Sequence, residues 1–271
     1  MERKLYKFSG AGNDFVVIDG REGDVSSFRE VARIEALCRE FRTDGLMILG
    51  SGDAEVDFVM EFYNPDGSGG MICGNGGRCI VAFADYLGIR PSCHPELAEG
   101  SYLFRAPDGL HTGEILARPE DGLWEVRIKM IDVQGITPML GGYFLNTGTR
   151  HFVKFVDDVE QVDIDTEGKA LRWDPAFAPV GTNVNFVHVA SDGLHVRTFE
   201  KGVEGETLAC GTGLTASAIA ASAAAVIPGE AKDSVRLRAR QDWLSVNFTP
   251  GADEKFTDVY LTGPARLVEI R

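Results

Sequence analysis

No stretch of the chain is long and apolar enough to span a bilayer, and residues 1–10 lack the apolar core of a secretory signal; the expected location is the cytoplasm. Basic residues are in short supply. There are 27 Lys and Arg against 41 Asp and Glu, a net charge of -14, and the cations are scattered rather than gathered into a stripe. That argues against a nucleic-acid partner, while a small anion needs only a few donors in one pocket. Cysteines number five, an odd count that makes a poor disulfide framework, and no Cys-x-x-Cys pair occurs. Cys73 and Cys79 are six apart with no second close pair and no nearby histidine, so no metal site is expected. No dinucleotide fingerprint follows a strand and no lysine stands out as a Schiff-base residue, so no cofactor is expected either.

What is present is ordinary in composition and unusual in arrangement. The 271 residues suffice for two domains, with 44% hydrophobic and 25% charged residues, as in an average globular protein. One stretch occurs twice, as residues 71–87 (MICGNGGRCIVAFADYL) and as residues 208–226 (LACGTGLTASAIAASAAAV). Each copy runs from a Cys-Gly turn into a helix that is apolar on nearly every side, as a buried helix is. Cys73 and Cys210 therefore fall at helix N-termini, where a thiol ionises more readily.

Landmarks around the two cysteines keep one offset. Cys210 lies 137 residues beyond Cys73, Glu200 lies 136 beyond Asn64, and Thr149 lies 136 beyond Asn13. Agreement at three positions points to an internal duplication. The expected architecture is α+β: two similar domains, each a mostly antiparallel sheet or barrel wrapped around a central apolar helix, with the active site in the cleft between them. The boundary is expected at Ala106-Pro107-Asp108-Gly109, giving domains 1–106 and 107–261.

Along the chain, residues 5–17 alternate as a strand broken by the donor-rich loop Ser9 to Asp14, which reads as a bulge or a close approach of backbone to ligand. Ser26 or Ser27 is expected to cap a helix running to about Arg42, with Phe28, Val31, Ile34, Ala36 and Leu37 as its apolar stripe. Strands are expected at 45–50, 54–63, 101–118, 123–133, 143–146, 183–190, 193–200, 234–239, 243–249, 255–261 and 266–270, and 156–173 reads as helix or loop.

Two thiols at one substrate suit inversion of a stereocentre, one removing a proton from carbon and the other delivering one to the opposite face. A cysteine ionises at about 8.5 when unperturbed, which a helix end lowers toward neutrality. The flanking glycines leave N–H groups to hold a substrate carboxylate.

The motifs Gly10-Ala-Gly-Asn-Asp-Phe15, Tyr63-Asn-Pro-Asp-Gly-Ser68, Cys73-Gly-Asn-Gly-Gly-Arg-Cys79, Asn183-Val-Asn-Phe186, Gly205-Glu-Thr-Leu-Ala-Cys-Gly-Thr-Gly213 and Thr262-Gly-Pro264 together resemble diaminopimelate epimerase over the whole chain. The resemblance implies a cofactor-independent isomerase that interconverts LL- and meso-2,6-diaminopimelate in lysine and cell-wall biosynthesis. It implies that Cys73 and Cys210 are the acid and base, and that residues 262–271 return to the first domain as a strand. Asn13, Asn64 and Asn183 match substrate-binding asparagines, Gly74-Asn75 and Gly211-Thr212 match backbone donors, and His151 matches an active-site histidine. Glu200 matches a glutamate that helps bind the substrate amine. Lys201 stands where the family has arginine and Thr149 where it often has asparagine, and one extra residue falls within Val203-Glu204-Gly205. Lysine keeps the charge without the bidentate fork, so a related amino-acid racemase with another substrate is the alternative. The expected partner is the small-molecule substrate, with a homodimer allowed by the resemblance.

Plainer readings apply elsewhere. Cys38 and Cys79 read as core residues, and His94, His111, His188 and His195 as structural. A reversible Cys73–Cys210 disulfide and a pocket that binds without turnover are the readings from other classes.

Overall fold

A computed structural model describes residues 3–70, 73–92, 97, 100–118, 121–227 and 234–271. Met71 and Ile72, at the head of the first cysteine stretch, and His94 lie outside the described residues. The chain opens with a hairpin, β1 (Tyr6–Gly10) and β2 (Asn13–Asp19). Its two turn residues, Ala11 and Gly12, have φ of 56° and 96°, the primed geometry that follows the twist of the strands. A Cβ at Gly10 would sit 2.8 Å from the carbonyl oxygen of Asn75 and 2.9 Å from Cys79 Sγ. The donor-rich loop is thus a tight turn rather than a bulge, and the close approach at Gly10 is to the protein's own helix.

Residues Met1–Ile128 with Gly263–Arg271 form one compact unit, and Lys129–Thr262 form another. The first contains α1 (Val31–Phe41), β3 (Gly45–Ser51), β4 (Phe58–Tyr63), α2 (Gly74–Tyr86), β5 (Ser101–Ala106), β6 (Gly109–Ala117) and β7 (Leu123–Lys129). The second contains β8 (Ile136–Met139), β9 (Gly142–Asn146), β10 (Arg150–Phe155), α3 (Lys169–Arg172), β11 (Asn183–Ala190), β12 (Gly193–Glu200), β13 (Gly205–Thr207), α4 (Gly211–Ala223), β14 (Ser234–Arg238) and β15 (Trp243–Pro250). The last strand, β16 (Phe256–Ile270), pairs with β15 up to Thr262 and with β7 and β1 from Gly263 onward.

In the first unit β1 to β7 pair in sequence order, and β16 closes the ring by pairing with both β7 and β1. The β2–β3 and β4–β5 pairs are parallel, and α1 and α2 make the two crossovers that parallel neighbours require. Every α2 residue from Gly74 to Ala84 is buried, so the barrel is wrapped around that helix. Phe83 on α2 packs its ring 4.9 Å from Tyr6 and 5.6 Å from Phe8 on β1.

The second unit repeats this order. From β9 the pairings run antiparallel to β10, parallel to β11, antiparallel to β12, parallel to β14, then antiparallel to β15 and β16, the senses found from β1 to β7. The crossover into β14 is α4, which is buried from Gly211 to Ala221 apart from Thr212, as α2 is in its barrel. The duplicated α+β fold expected from the cysteine spacing is therefore present in the ladder itself.

Several local expectations change. The helix expected from Ser26 to Arg42 is a 3-10 turn (Ser26–Arg29) followed by α1, because Glu30 adopts extended dihedrals of -74° and 128° between them. Neither serine caps through its side chain; Arg42, with φ of 53°, ends α1. Residues 156–173 hold only short 3-10 and π turns and the single-turn α3. The two strands expected at 255–261 and 266–270 are one, since Thr262-Gly-Pro264 stays extended. Residues 107–128 group with the first unit because β6 and β7 extend the ladder from β5, whereas the composition placed the boundary at 106.

Candidate functional site

Cys73 is the N-cap of α2, with extended dihedrals of -94° and 152°, and its sulfur accepts the Gly76 N–H at 3.2 Å. The side chain is exposed, and an N–H aimed at it from a helix start stabilises negative charge on sulfur. Cys79, two turns further in, is wholly buried, and burial pushes its thiol far up, so it stays protonated. Cys38 is buried too and shifted in the same direction for the same reason.

Asn75 and Asn13 meet in the same unit. Asn75 Nδ2 donates to Asn13 Oδ1 at 2.6 Å, and Asn75 Oδ1 accepts from Arg78 Nη2 at 2.8 Å. Arg78 is fully buried and also donates to the carbonyls of Gly74 and Pro264, both at 3.3 Å. Asn64 follows β4 and starts the turn after it, its Nδ2 donating to Ser68 Oγ at 3.0 Å.

Cys210 is the N-cap of α4, with dihedrals of -113° and 107° and 9% exposure. Its sulfur lies 3.4 Å from Thr212 Oγ1 and is hydrogen-bonded to the Glu200 carboxyl at the end of β12. Burial pushes the Glu200 carboxyl above the usual range, opposed by hydrogen bonds from Thr207, at 2.9 Å, and from Cys210.

His151 on β10 is completely buried, and that burial holds its pKa down to about 3, so the ring is neutral. Its Nε2 lies 2.9 Å from Thr149 Oγ1 and 3.0 Å from Thr212 Oγ1, and its Nδ1 lies 3.0 Å from Asn185 Nδ2. Asn183 Nδ2 donates to the Arg150 carbonyl at 2.9 Å, and its Oδ1 accepts the backbone N–H of Lys201 at 2.8 Å. Lys201 thus meets the other candidates through its backbone, its side chain being exposed.

The structure groups Cys73, Gly74, Asn75 and Asn13 at the start of α2. It groups Cys210, Gly211, Thr212, Thr149, His151, Asn183, Glu200 and Lys201 at the start of α4. Arg78 and Asn185 were missed. Arg78 is the one positive charge in α2 and sits within its apolar, buried part, and Asn185 lies two residues from Asn183 on the same strand face, which were the available signals. Among the described residues no three His, Cys, Asp or Glu side chains converge as a metal-ligand set, and no helix is long and apolar enough to cross a membrane.

A barrel wrapped around a buried helix, present twice, is a fold shared with PhzF-family and racemase-like structures. A PhzF-family protein from Bacillus anthracis superposes with a TM-score of 0.72 at 13% identity, over 100% of this chain and 99% of that one. A hydroxyproline epimerase from Agrobacterium vitis gives 0.64 at 16% identity, over 99% and 91%. Residues 5–106 and 143–268 match the family described as Diaminopimelate epimerase. Proteins of that name from Flavobacterium psychrophilum and Chlorobaculum tepidum are 38% and 37% identical, covering 98% and 96% of this chain and 98% and 97% of their own lengths. The chain belongs to the diaminopimelate epimerase family and is an isomerase of the racemase and epimerase class.

Proposed function

We propose that the enzyme epimerises LL-2,6-diaminopimelate to the meso form without a cofactor, Cys73 and Cys210 serving as the acid and base. The observation that carries this reading is the repeated placement of a cysteine at the N-cap of a buried helix, once in each unit. A thiolate on one face of the substrate Cα takes the proton, and a thiol on the other face returns one to the planar intermediate. The thiols form a coupled pair, so their apparent pKa values belong to the pair. This chemistry requires both sulfurs to reach one substrate Cα.

Substrate contacts are assigned to Asn13, Asn64, Asn75 and Asn183, with the N–H groups of Gly74-Asn75 and Gly211-Thr212 holding the carboxylate beside the reacting carbon. Charge developing there in the transition state is what those donors stabilise. Glu200 and Lys201 are assigned to the amine and carboxylate ends, supported by the hydrogen bond between Glu200 and Cys210 and by the bond from the Lys201 N–H to Asn183. Pairing into a homodimer and residence in the cytoplasm belong to the same reading.

In deuterated water the purified enzyme exchanges the Cα hydrogen of diaminopimelate without added cofactor, and Cys73→Ala or Cys210→Ala abolishes epimerisation. Normal turnover by both single variants would refute the two-thiol mechanism. A panel of free amino acids tests the substrate: comparable turnover of one with a single stereocentre assigns the enzyme to a different racemase activity.

A further inference from the structure

His151 is a buried neutral imidazole to which the inversion chemistry gives no role, yet it lies two hydrogen bonds from Cys210. The direction of those bonds is fixed from behind. The carbonyl oxygen of Phe152 accepts only, and Asn185 Nδ2 lies 3.2 Å from it, so the amide nitrogen faces that carbonyl and His151 Nδ1. Asn185 Oδ1 in turn accepts from Thr198 Oγ1 at 2.9 Å. His151 Nδ1 is therefore an acceptor, and the ring hydrogen is on Nε2.

On that side Nε2 meets two hydroxyls, Thr149 Oγ1 and Thr212 Oγ1, which are 3.1 Å from each other. Because Nε2 donates, neither hydroxyl can give its hydrogen to the ring. The Thr212 hydrogen has two acceptors within reach, Thr149 Oγ1 and Cys210 Sγ. Thr149 Oγ1 already receives the ring N–H at 2.9 Å and Asn183 Nδ2 at 3.4 Å, which fills its two lone pairs and leaves the sulfur as the acceptor for the Thr212 hydrogen. The reverse tautomer would present a lone pair at Nε2 that competes with Cys210 for that hydrogen.

We infer that His151 is a positioning residue whose Nε2–H tautomer, set by Asn185, turns the Thr212 hydroxyl hydrogen onto Cys210 Sγ and leaves the cysteine's own hydrogen for Glu200. The titratable group hydrogen-bonded to the sulfur is that Glu200 carboxyl, so Cys210 meets a donor in Thr212 and an acceptor in Glu200. The Gly76 N–H on Cys73 is a backbone donor whose direction the helix fixes, which makes the two thiols unequal before substrate arrives. The inference rests on Cys210 being one of the two bases, but its test needs no substrate and stands or falls separately from the choice of diaminopimelate.

Two measurements on the full chain decide it. Long-range proton–nitrogen NMR of the labelled protein reads the His151 tautomer directly; Nε2–H is expected, and Nδ1–H overturns the inference. The pH profile of iodoacetamide labelling at Cys210, resolved by peptide mass spectrometry, reads the thiolate. Thr212→Val is expected to lower the labelling rate about tenfold at a fixed pH, with the midpoint about one pH unit higher, and Thr212→Ser to restore it. A Thr212→Val profile like that of the parent, or a Thr212→Ser profile like that of Thr212→Val, overturns it.

Discussion

Arg78 Nη2 lies 2.8 Å from Asn75 Oδ1, and that contact decides which way two asparagine amides face. Arginine only donates, so the Asn75 oxygen must point to it and the Asn75 nitrogen to Asn13 Oδ1, turning the Asn13 nitrogen the other way.

Asn75→Asp separates this orienting role from folding. The carboxylate still accepts from Arg78, but it offers no hydrogen to Asn13, and two facing acceptors repel. An unsatisfied polar contact costs about 1–3 kcal/mol, so KM for diaminopimelate should rise about tenfold or more while the thermal midpoint moves by a few degrees at most. Steady-state kinetics and calorimetry check this, and an unchanged KM would show that the amide orientation does not matter.

His151 should make the second unit acid-sensitive. Its pKa is about 3 in the fold and about 6.5 in the unfolded chain, so between those values the unfolded state binds the extra proton. The stabilisation from keeping the ring neutral is complete above about pH 6.5. It is lost as pH falls toward 3, at about 1.4 kcal/mol for each pH unit crossed. Urea titrations from pH 7 to pH 4 should show stability falling more steeply for the parent than for His151→Gln, whose side chain does not titrate. Parallel slopes would contradict the assignment of a neutral buried ring.

Gly10→Ala tests the close approach between the first hairpin and α2. The new Cβ would lie 2.8 Å from a backbone oxygen, that of Asn75, which cannot swing aside as a side chain does. A loss of about 1–3 kcal/mol is expected, as for other overpacked sites. Adding Cys79→Ala, which removes the sulfur 2.9 Å away but not the carbonyl, should leave most of that loss in place. Full recovery in the double variant would assign the tightness to the sulfur instead.

Alkylation of the native protein should mark Cys73 and spare Cys79 and Cys38. The first is exposed at a helix start; the other two are buried with their thiols pushed up. Peptide mapping after brief iodoacetamide treatment reads the order, which should vanish in denaturant.

Much of this was legible in the chain because it was written locally. Asn183–Ala190 and Gly193–Glu200 alternate cleanly on either side of Ser191-Asp192, and both strands have the bounds that their pattern indicates. The buried helices announce themselves by being apolar all round. What was not legible depends on distant partners. Arg78 takes Gly74 and Asn75 on its own helix as acceptors, but the third, Pro264, is 186 residues away, and nothing in the neighbouring sequence points to it. The continuity of β16 through Gly263 and Pro264 comes from ladders on both flanks, while Gly and Pro on their own read as a break. The strand β8 carries Pro138 and lacks the pattern of a strand, and only its pairing with β9 makes it one.

The ring of the first unit is closed by residues that a ribosome makes only after the whole second unit. Until Gly263–Ile270 emerge, β1 and β7 each present an unpaired edge, and they do so for the whole time the second unit is being synthesised. A nascent chain halted after Thr262 would carry the complete second unit and an N-terminal half still open along one seam, exposed to any chaperone or neighbouring strand that finds it first.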